Sequence, residues 1–379
     1  MIYLDYQATT PVDPKVIESM LPFFSTYYGN AASSHKFGRE IDHIVESKRK
    51  IIANSLHCSP NEIYFTSGST ESINLILKGF FDKQTGTIVT QTTEHNAVLN
   101  TCNYLEKKGI DVKYTDVDEN GIVDLNQLKI NLKNNNKTLA SIMHVNNETG
   151  VIQPIEEVSI LCKANNVPLF VDASQSFGKM DINVEKMNIS MLALSAHKIY
   201  GPKGIGVLYV NKKVKNMISP LFHGGNQESG LRSGTLNVPA IVGLCKAVEL
   251  VISEMESEKL RLLNLRTLLY QTLNDSLKDV LLNGDINHRI SSNLNISFKN
   301  VSSDLLVRSL NDVIISNGSA CDSLFNTGSH VLKAMGKSND IIESSVRISL
   351  GRYTTQEDVE KAATEIISKV KMIRNITQI

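Results

Sequence analysis

The run "LFVDASQSFG", residues 169–178, opens with three apolar residues in succession and then reaches an acid, Asp172. Apolar character that does not alternate marks a short strand buried on both faces, as in parallel sheets covered by helices. A carboxylate ending such a strand needs a cationic or donor partner, because an uncompensated buried charge is strongly unfavourable. Capping the next helix is its plainer use. Outward from this run the pattern repeats: "EIYFTSG", "TIVTQ", "DVKYTDV" and "TLASIMHV" before it, "MLALSAH" and "GIGVLYV" after it. Amphipathic stretches such as "STESINLILKGFF", "AVLNTCNYLEKKG" and "EEVSILCKANN" lie between them. The alternation predicts an α/β protein with a large, mostly parallel sheet. Such sheets hold ligands beyond the carboxyl ends of their strands, so the polar residue closing each run is a candidate.

The chain of 379 residues is long enough for a large core and a smaller companion domain. Lys plus Arg equals Asp plus Glu at 39 each, which disfavours a protein whose main affinity is for nucleic-acid phosphates. The longest apolar stretch, "VPAIVGLCKAVELVI" at 238–252, is too short and too charged to span a bilayer. The start "MIYLDYQATTPVDP" lacks a secretory pattern, and the expectation is a cytosolic (cytoplasmic) protein. Five cysteines, Cys58, Cys102, Cys162, Cys245 and Cys321, are widely spaced without a C-x-x-C pair, so no disulfide framework or thiolate metal site is expected. The first four sit in helical or apolar surroundings and read as small buried hydrophobes.

The segment from Val238 to about Asp279 reads as one long helix able to join two domains, followed by a smaller strand-and-helix unit with a final helix from Gln356. "LKNNNKT", 132–138, reads as a surface loop.

Three places carry chemistry. "TSGSTES", 66–72, follows a strand and opens a helix; Ser69 and Thr70 with the backbone N–H groups suit an anion such as phosphate, and a simple helix cap is the equal alternative. It lacks the Gly-Lys-Ser/Thr ending of a nucleotide-triphosphate loop. Asp172 is the second place. The third is "LALSAHKIYGPKGIGVLYV", 192–210, which closes an apolar run with Ser195, His197 and Lys198. A partly desolvated lysine at a sheet mouth can form a Schiff base, although any single lysine is more often a surface one. A phosphate cradle, a buried acid and a reactive lysine together are the three handles that hold pyridoxal 5′-phosphate. His95, closing the run after "TIVTQ", can stack on the ring or move protons. Cys321 lies in the polar stretch "ISNGSACDSLFNTG", 315–328, as either a bystander or the protein's reagent.

The ordered motifs "YLDYQATTPVDP", "TSGSTESIN", "TEHNAV", "HVNNETGVIQPI", "VDASQSFG", "SAHKIYGPKGIG", "GLRSGTLNV", "NGSACDS" and "VRISLGRYTT" closely resemble pyridoxal-phosphate cysteine desulfurases of the NifS/IscS type (group I), across residues 3 to about 355. The resemblance implies the fold type I, class V aminotransferase-like architecture and a homodimer. It places a large cofactor domain at 14–256 and a small α+β domain at 1–13 plus 257–379. It makes Lys198 the Schiff-base lysine, Asp172 the partner of the pyridinium nitrogen and Gln175 the donor to the ring hydroxyl. His95 becomes the ring-stacking, proton-moving histidine; Ser69, Thr70, Ser195 and His197 become phosphate ligands. Thr235 is the residue that reaches the neighbouring subunit's phosphate, and Asn147 and Arg347 hold the carboxylate of L-cysteine. Cys321 is the nucleophile that receives sulfur, for delivery to an acceptor protein in iron–sulfur assembly, tRNA thiolation or DNA phosphorothioation.

An aminotransferase or a selenocysteine lyase would share the cofactor site, and a sulfur-relay scaffold without turnover is the reading from another class. The intact Lys198, Asp172 and His95 argue against the scaffold, and an aminotransferase has no need of Cys321. Two departures are expected to matter: the chain stops at "MIRNITQI", short of the tail with which housekeeping members dock a scaffold, and "DSLFNTGSH" after Cys321 is bulkier than the family's usual run.

Overall fold

A computed structural model describes residues 1–133, 137–317 and 328–377. Its strands, in chain order, are β1 (Ile2–Tyr3), β2 (Ile63–Thr66), β3 (Thr87–Gln91), β4 (Asp111–Thr115), β5 (Thr138–Met143) and β6 (Leu169–Asp172). They continue as β7 (Met191–Ser195), β8 (Gly206–Val210), β9 (Val280–Leu282), β10 (Asn293–Phe298), β11 (Val313–Ile314) and β12 (Ser345–Ser349). Seven of them form one sheet in the order β2-β8-β7-β6-β5-β3-β4. The pairings from β4 to β7 are parallel, while β8 runs antiparallel to both β7 and β2.

The reason for the sheet is visible in β6: Leu169, Phe170 and Val171 are each at most 1% exposed because helices cover both faces. Burying side chains of this size contributes about 1.5–3 kcal/mol each. Thr66 and Ser195 both register with Gly206, and Met143, Asp172 and Ala193 are aligned in neighbouring strands. The carboxyl ends of β2, β3, β5, β6 and β7 therefore lie along one edge.

The helix Val238–Ser276 is capped by the Asn237 side chain, which accepts from the Ala240 N–H. Its first half, Val238 to Val251, packs into the core of the large sheet. Its second half, Leu262 to Leu273, belongs to a separate core with β10, β12 and the helix Gln356–Thr377. The antiparallel sheet β12-β10-β9 sits over that second core. Leu4 also lies in this core, and Asp5 bridges Ser349, so the first residues of the chain and the strand β12 lie side by side. From there residues 5–10 cross to the large sheet, where the Thr10 N–H donates to the His197 carbonyl over 3.0 Å.

The stretch 132–138, read as a surface loop, includes residues 134–136, which lie outside the described residues; Thr138 opens β5. Among the described residues no helix is long and apolar enough to cross a membrane. Cys102, Cys162 and Cys245 are buried as expected, but Cys58 is only partly so.

Candidate active site

Each strand end along the common edge delivers one part of a cleft of about 260 Å³. Ser69, Thr70, His95, Asn147, Asp172, Gln175, His197, Lys198 and Arg347 all line it. An adjoining hollow shares Ser69, Thr70 and His197 with the cleft and adds Ser195, Gly204 and Lys203.

The turn after β2 is shaped by glycine. Gly68 has φ +150° and carries no side-chain cap for the helix Ser69–Phe80, so the first N–H groups of that helix point toward the hollow without a side-chain acceptor. A Cβ on Gly206 would sit 2.6 Å from both Gly68 Cα and Leu194 O, so the close approach of β8 to this turn requires glycine there. Glu71, in the first turn, pairs with Arg232 over 2.8 Å and accepts from the Ser67 N–H; those donors hold its carboxyl below the usual range against its burial.

His95 caps the helix Asn96–Glu106, its Nδ1 accepting from the Ala97 N–H over 3.0 Å. That contact assigns the proton of the neutral ring to Nε2. His197 is pushed down to about 4 by burial, then by the Lys198 and Lys203 charges, so its imidazole is neutral at physiological pH. Its Nδ1 lies 3.1 Å from the Thr9 hydroxyl. Asp172 is 6% exposed and its Oδ1 accepts from both the N–H (2.9 Å) and the hydroxyl (2.5 Å) of Ser174. Lys198 follows β7 in the short turn Ala196–Lys198, and its Nζ donates to the carbonyls of Gln7 and Ala8, each over 2.7 Å. Tyr200, two residues on, holds φ +64°, a strained conformation for a bulky residue that the Tyr200 N–H to Thr10 hydroxyl bond secures.

Arg347 on β12 is 3% exposed; Nη2 meets Asp5 Oδ1, Nη1 donates to the Asn147 carbonyl, and Nε is buried without an acceptor. Asn147 Oδ1 is also buried without a partner. These orphaned polar atoms are what a small zwitterion bearing a carboxylate can satisfy.

The residues fit pyridoxal phosphate. An uncapped helix N-terminus with hydroxyls suits its phosphate, a buried carboxylate suits its ring nitrogen, and a lysine amine between the two suits its aldehyde.

One sequence candidate is not brought to the cleft, and another is not described. Thr235 is exposed and lines neither cavity within this chain, and Cys321 lies outside the described residues. Several groups at the site had no signal in the sequence. Gln7 and Ala8 act through backbone carbonyls, and Asp5 acts through its pairing with Arg347. Glu94, fully buried behind Asp172, has its carboxyl pushed well above the usual range by burial and then by the Asp172 charge. Glu148 accepts from the Ser329 hydroxyl over 2.5 Å, and His330 Nε2 lies 2.9 Å from the Glu94 carbonyl, so both residues following the Cys321 stretch anchor at the cleft.

Residues 2–362 match the family described as "Aminotransferase class-V". "Cysteine desulfurase IscS" of Rickettsia prowazekii (strain Madrid E) is 43% identical across 99% of this chain and 92% of its own length. A solved "NIFS-LIKE PROTEIN" has a TM-score of 0.91 at 39% identity, covering 98% of this chain and 99% of the other. "SspA in complex with cysteine" has a TM-score of 0.83 at 39% identity, covering 94% of this chain and all of the other (100%).

Proposed function

The chain belongs to the class-V aminotransferase family and is a pyridoxal-phosphate-dependent cysteine desulfurase, and on that premise we propose that it converts L-cysteine to L-alanine while Cys321 takes the sulfur as a persulfide. Asp172 would hold the ring nitrogen and Gln175 the ring hydroxyl, with His95 against the ring face. The first N–H groups of the helix Ser69–Phe80, with Thr70, Ser195 and His197, would hold the phosphate. Bound there, pyridoxal phosphate supplies an electron-poor ring that takes up the charge left at the substrate α-carbon when its proton is removed.

The chain's own groups do the rest. Arg347 receives the substrate carboxylate through its unpartnered Nε, backed by Asn147. The Lys198 amine takes the α-proton, and the carbonyls of Gln7 and Ala8 are the acceptors that steady it. The Cys321 thiolate attacks the substrate sulfur: one S–S bond forms as one C–S bond breaks. The proton lost from the Cys321 thiol is matched by one gained at the carbon that becomes the alanine methyl, so no outside oxidant or reductant enters. The persulfide, a reversible cap, then passes its sulfur to an acceptor protein.

The other thiols are poor rivals. Burial pushes Cys58, Cys102, Cys162 and Cys245 up to about 12, far from thiolate at neutral pH. The observation that carries the reading is that Lys198, Asp172, His95 and Arg347 line a single cleft.

Thr235 is read as a ligand to the partner's phosphate in a homodimer. Its exposure and the exposed Leu21 (60%), Phe24 (64%) and Tyr28 (71%) support a second copy. Peptide mass spectrometry after brief exposure to L-cysteine tests the central step. One extra sulfur atom on the Cys321 peptide is expected, and an unmodified Cys321 alongside L-alanine production would refute it.

A further inference from the structure

Lys179, four residues beyond Gln175 and outside every role described so far, sets its amine at the back of the cofactor site. Its Nζ donates to Gln175 Oε1 over 3.0 Å, and the other end of that amide, Nε2, donates to the Gln7 carbonyl over 2.9 Å. The same carbonyl accepts from Lys198 Nζ over 2.7 Å. Lys179, Gln175, Gln7 and Lys198 thus form one connected polar chain. A small cavity of about 30 Å³ lies behind the site and is lined by Lys179, Lys198, Gln7 and Glu258.

A purely structural lysine would not be placed this way. The stem is partly exposed, but the ammonium group is enclosed, and no carboxylate among the described residues comes within ion-pair distance of it. The charges that face it are Lys198 and Arg347, both unfavourable, and Glu258, which is favourable. Enclosing a cation beside two others is strongly unfavourable when an apolar residue would fill the same space. Burial, and after it the Lys198 charge, push Lys179 down to about 7. In either protonation state an N–H remains to donate to Gln175.

We propose that Lys179 is a positioning residue for the cofactor: by occupying Gln175 Oε1 it fixes the amide so that Nε2, with its second N–H, is the face turned to the cofactor. A flipped amide would set Oε1 against the Gln7 carbonyl oxygen and its NH₂ group against the lysine. Two donors and two acceptors therefore agree on one orientation. Without Lys179, only the Gln7 contact opposes the flip, and Oε1 loses its partner. The inference rests on Gln175 holding the cofactor.

The test is a double-mutant cycle read by spectroscopic titration of the apoprotein with pyridoxal phosphate. Lys179→Met is expected to raise the dissociation constant about tenfold, the effect of one hydrogen bond from a charged group. Lys179→Gln, which keeps an N–H donor, is expected to stay within about threefold of the parent protein, which also covers the case in which the Met variant does not fold. In the Gln175→Ala background, Lys179→Met should add less than about twofold, because the residue it acts through is gone. Equal tenfold losses in both backgrounds, or no loss with Lys179→Met alone, would overturn the role of Lys179. If Gln175→Ala itself binds the cofactor as tightly as the parent, the role of Gln175 falls, and with it this inference.

Discussion

Arg347 Nη2 lies 2.6 Å from Asp5 Oδ1 inside the cleft, joining a strand near the end of the chain to a residue near its start. The two side chains are 4% and 14% exposed, so the pair is enclosed and the arginine meets its substrate already half neutralised. Nε has no partner among the described residues, and it is a donor free for a ligand carboxylate. This arrangement lets the site accept a carboxylate without stranding a buried positive charge when the substrate is absent.

Breaking one member of such a pair leaves the other uncompensated. Asp5→Asn is expected to lower the free energy of unfolding by about 3 kcal/mol in chemical denaturation. Saturating L-alanine, whose carboxylate can replace the lost charge, is expected to recover part of that loss. If the variant is as stable as the parent without ligand, the pair does not carry the compensation assigned to it.

Gly206 is where two backbones pass too closely for a side chain. Gly206→Ala places a Cβ 2.6 Å from both Gly68 Cα and Leu194 O, neither of which can rotate away. The expected outcome is a loss of about 1–3 kcal/mol of stability and a displaced turn 67–70. Cofactor affinity should fall more than stability does, which a spectral titration beside a denaturation curve distinguishes. Unchanged affinity would show that the turn does not hold the phosphate.

His144 supplies a pH dependence. It is 2% exposed, its Nδ1 has no partner, and burial pushes it down to about 4. The unfolded chain binds a proton on this residue below about 6.5, while the folded chain resists it until about 4. Stability therefore declines as pH falls from 6.5 toward 4, by on the order of 3 kcal/mol from this residue, and is unaffected above 6.5. His144→Gln is expected to flatten the slope between pH 6.5 and 4. A slope unchanged in the variant would assign it to other groups.

The sheet and its edge were legible in the sequence because buried parallel strands leave an unbroken apolar run that stops at a polar residue. Asp172 and Ser195 were found in that way, and Lys198 as the lysine next beyond Ser195. What the residue pattern does not show is a contact made by a carbonyl or by a side chain distant in sequence. Gln7 serves through its backbone oxygen, and Asp5 is distinguished only by meeting Arg347, which lies 342 residues further along the chain. Glu94 and His95 are adjacent in sequence, yet one is an acid enclosed behind the strand end and the other lines the cleft. Lys179 carries no mark of its own, since a lysine following Gly178 reads as a surface residue until the Gln175 contact is seen. Thr235 and Cys321 rest on the family likeness alone.

The most direct test is to supply L-cysteine and a thiol reductant to the holoenzyme and to its Cys321→Ser variant, and to quantify L-alanine and sulfide. The account predicts equimolar alanine and sulfide from the parent protein. It predicts neither from the variant, which should still show the visible absorbance of its bound cofactor. Alanine and sulfide released by the variant at the parent rate would contradict it.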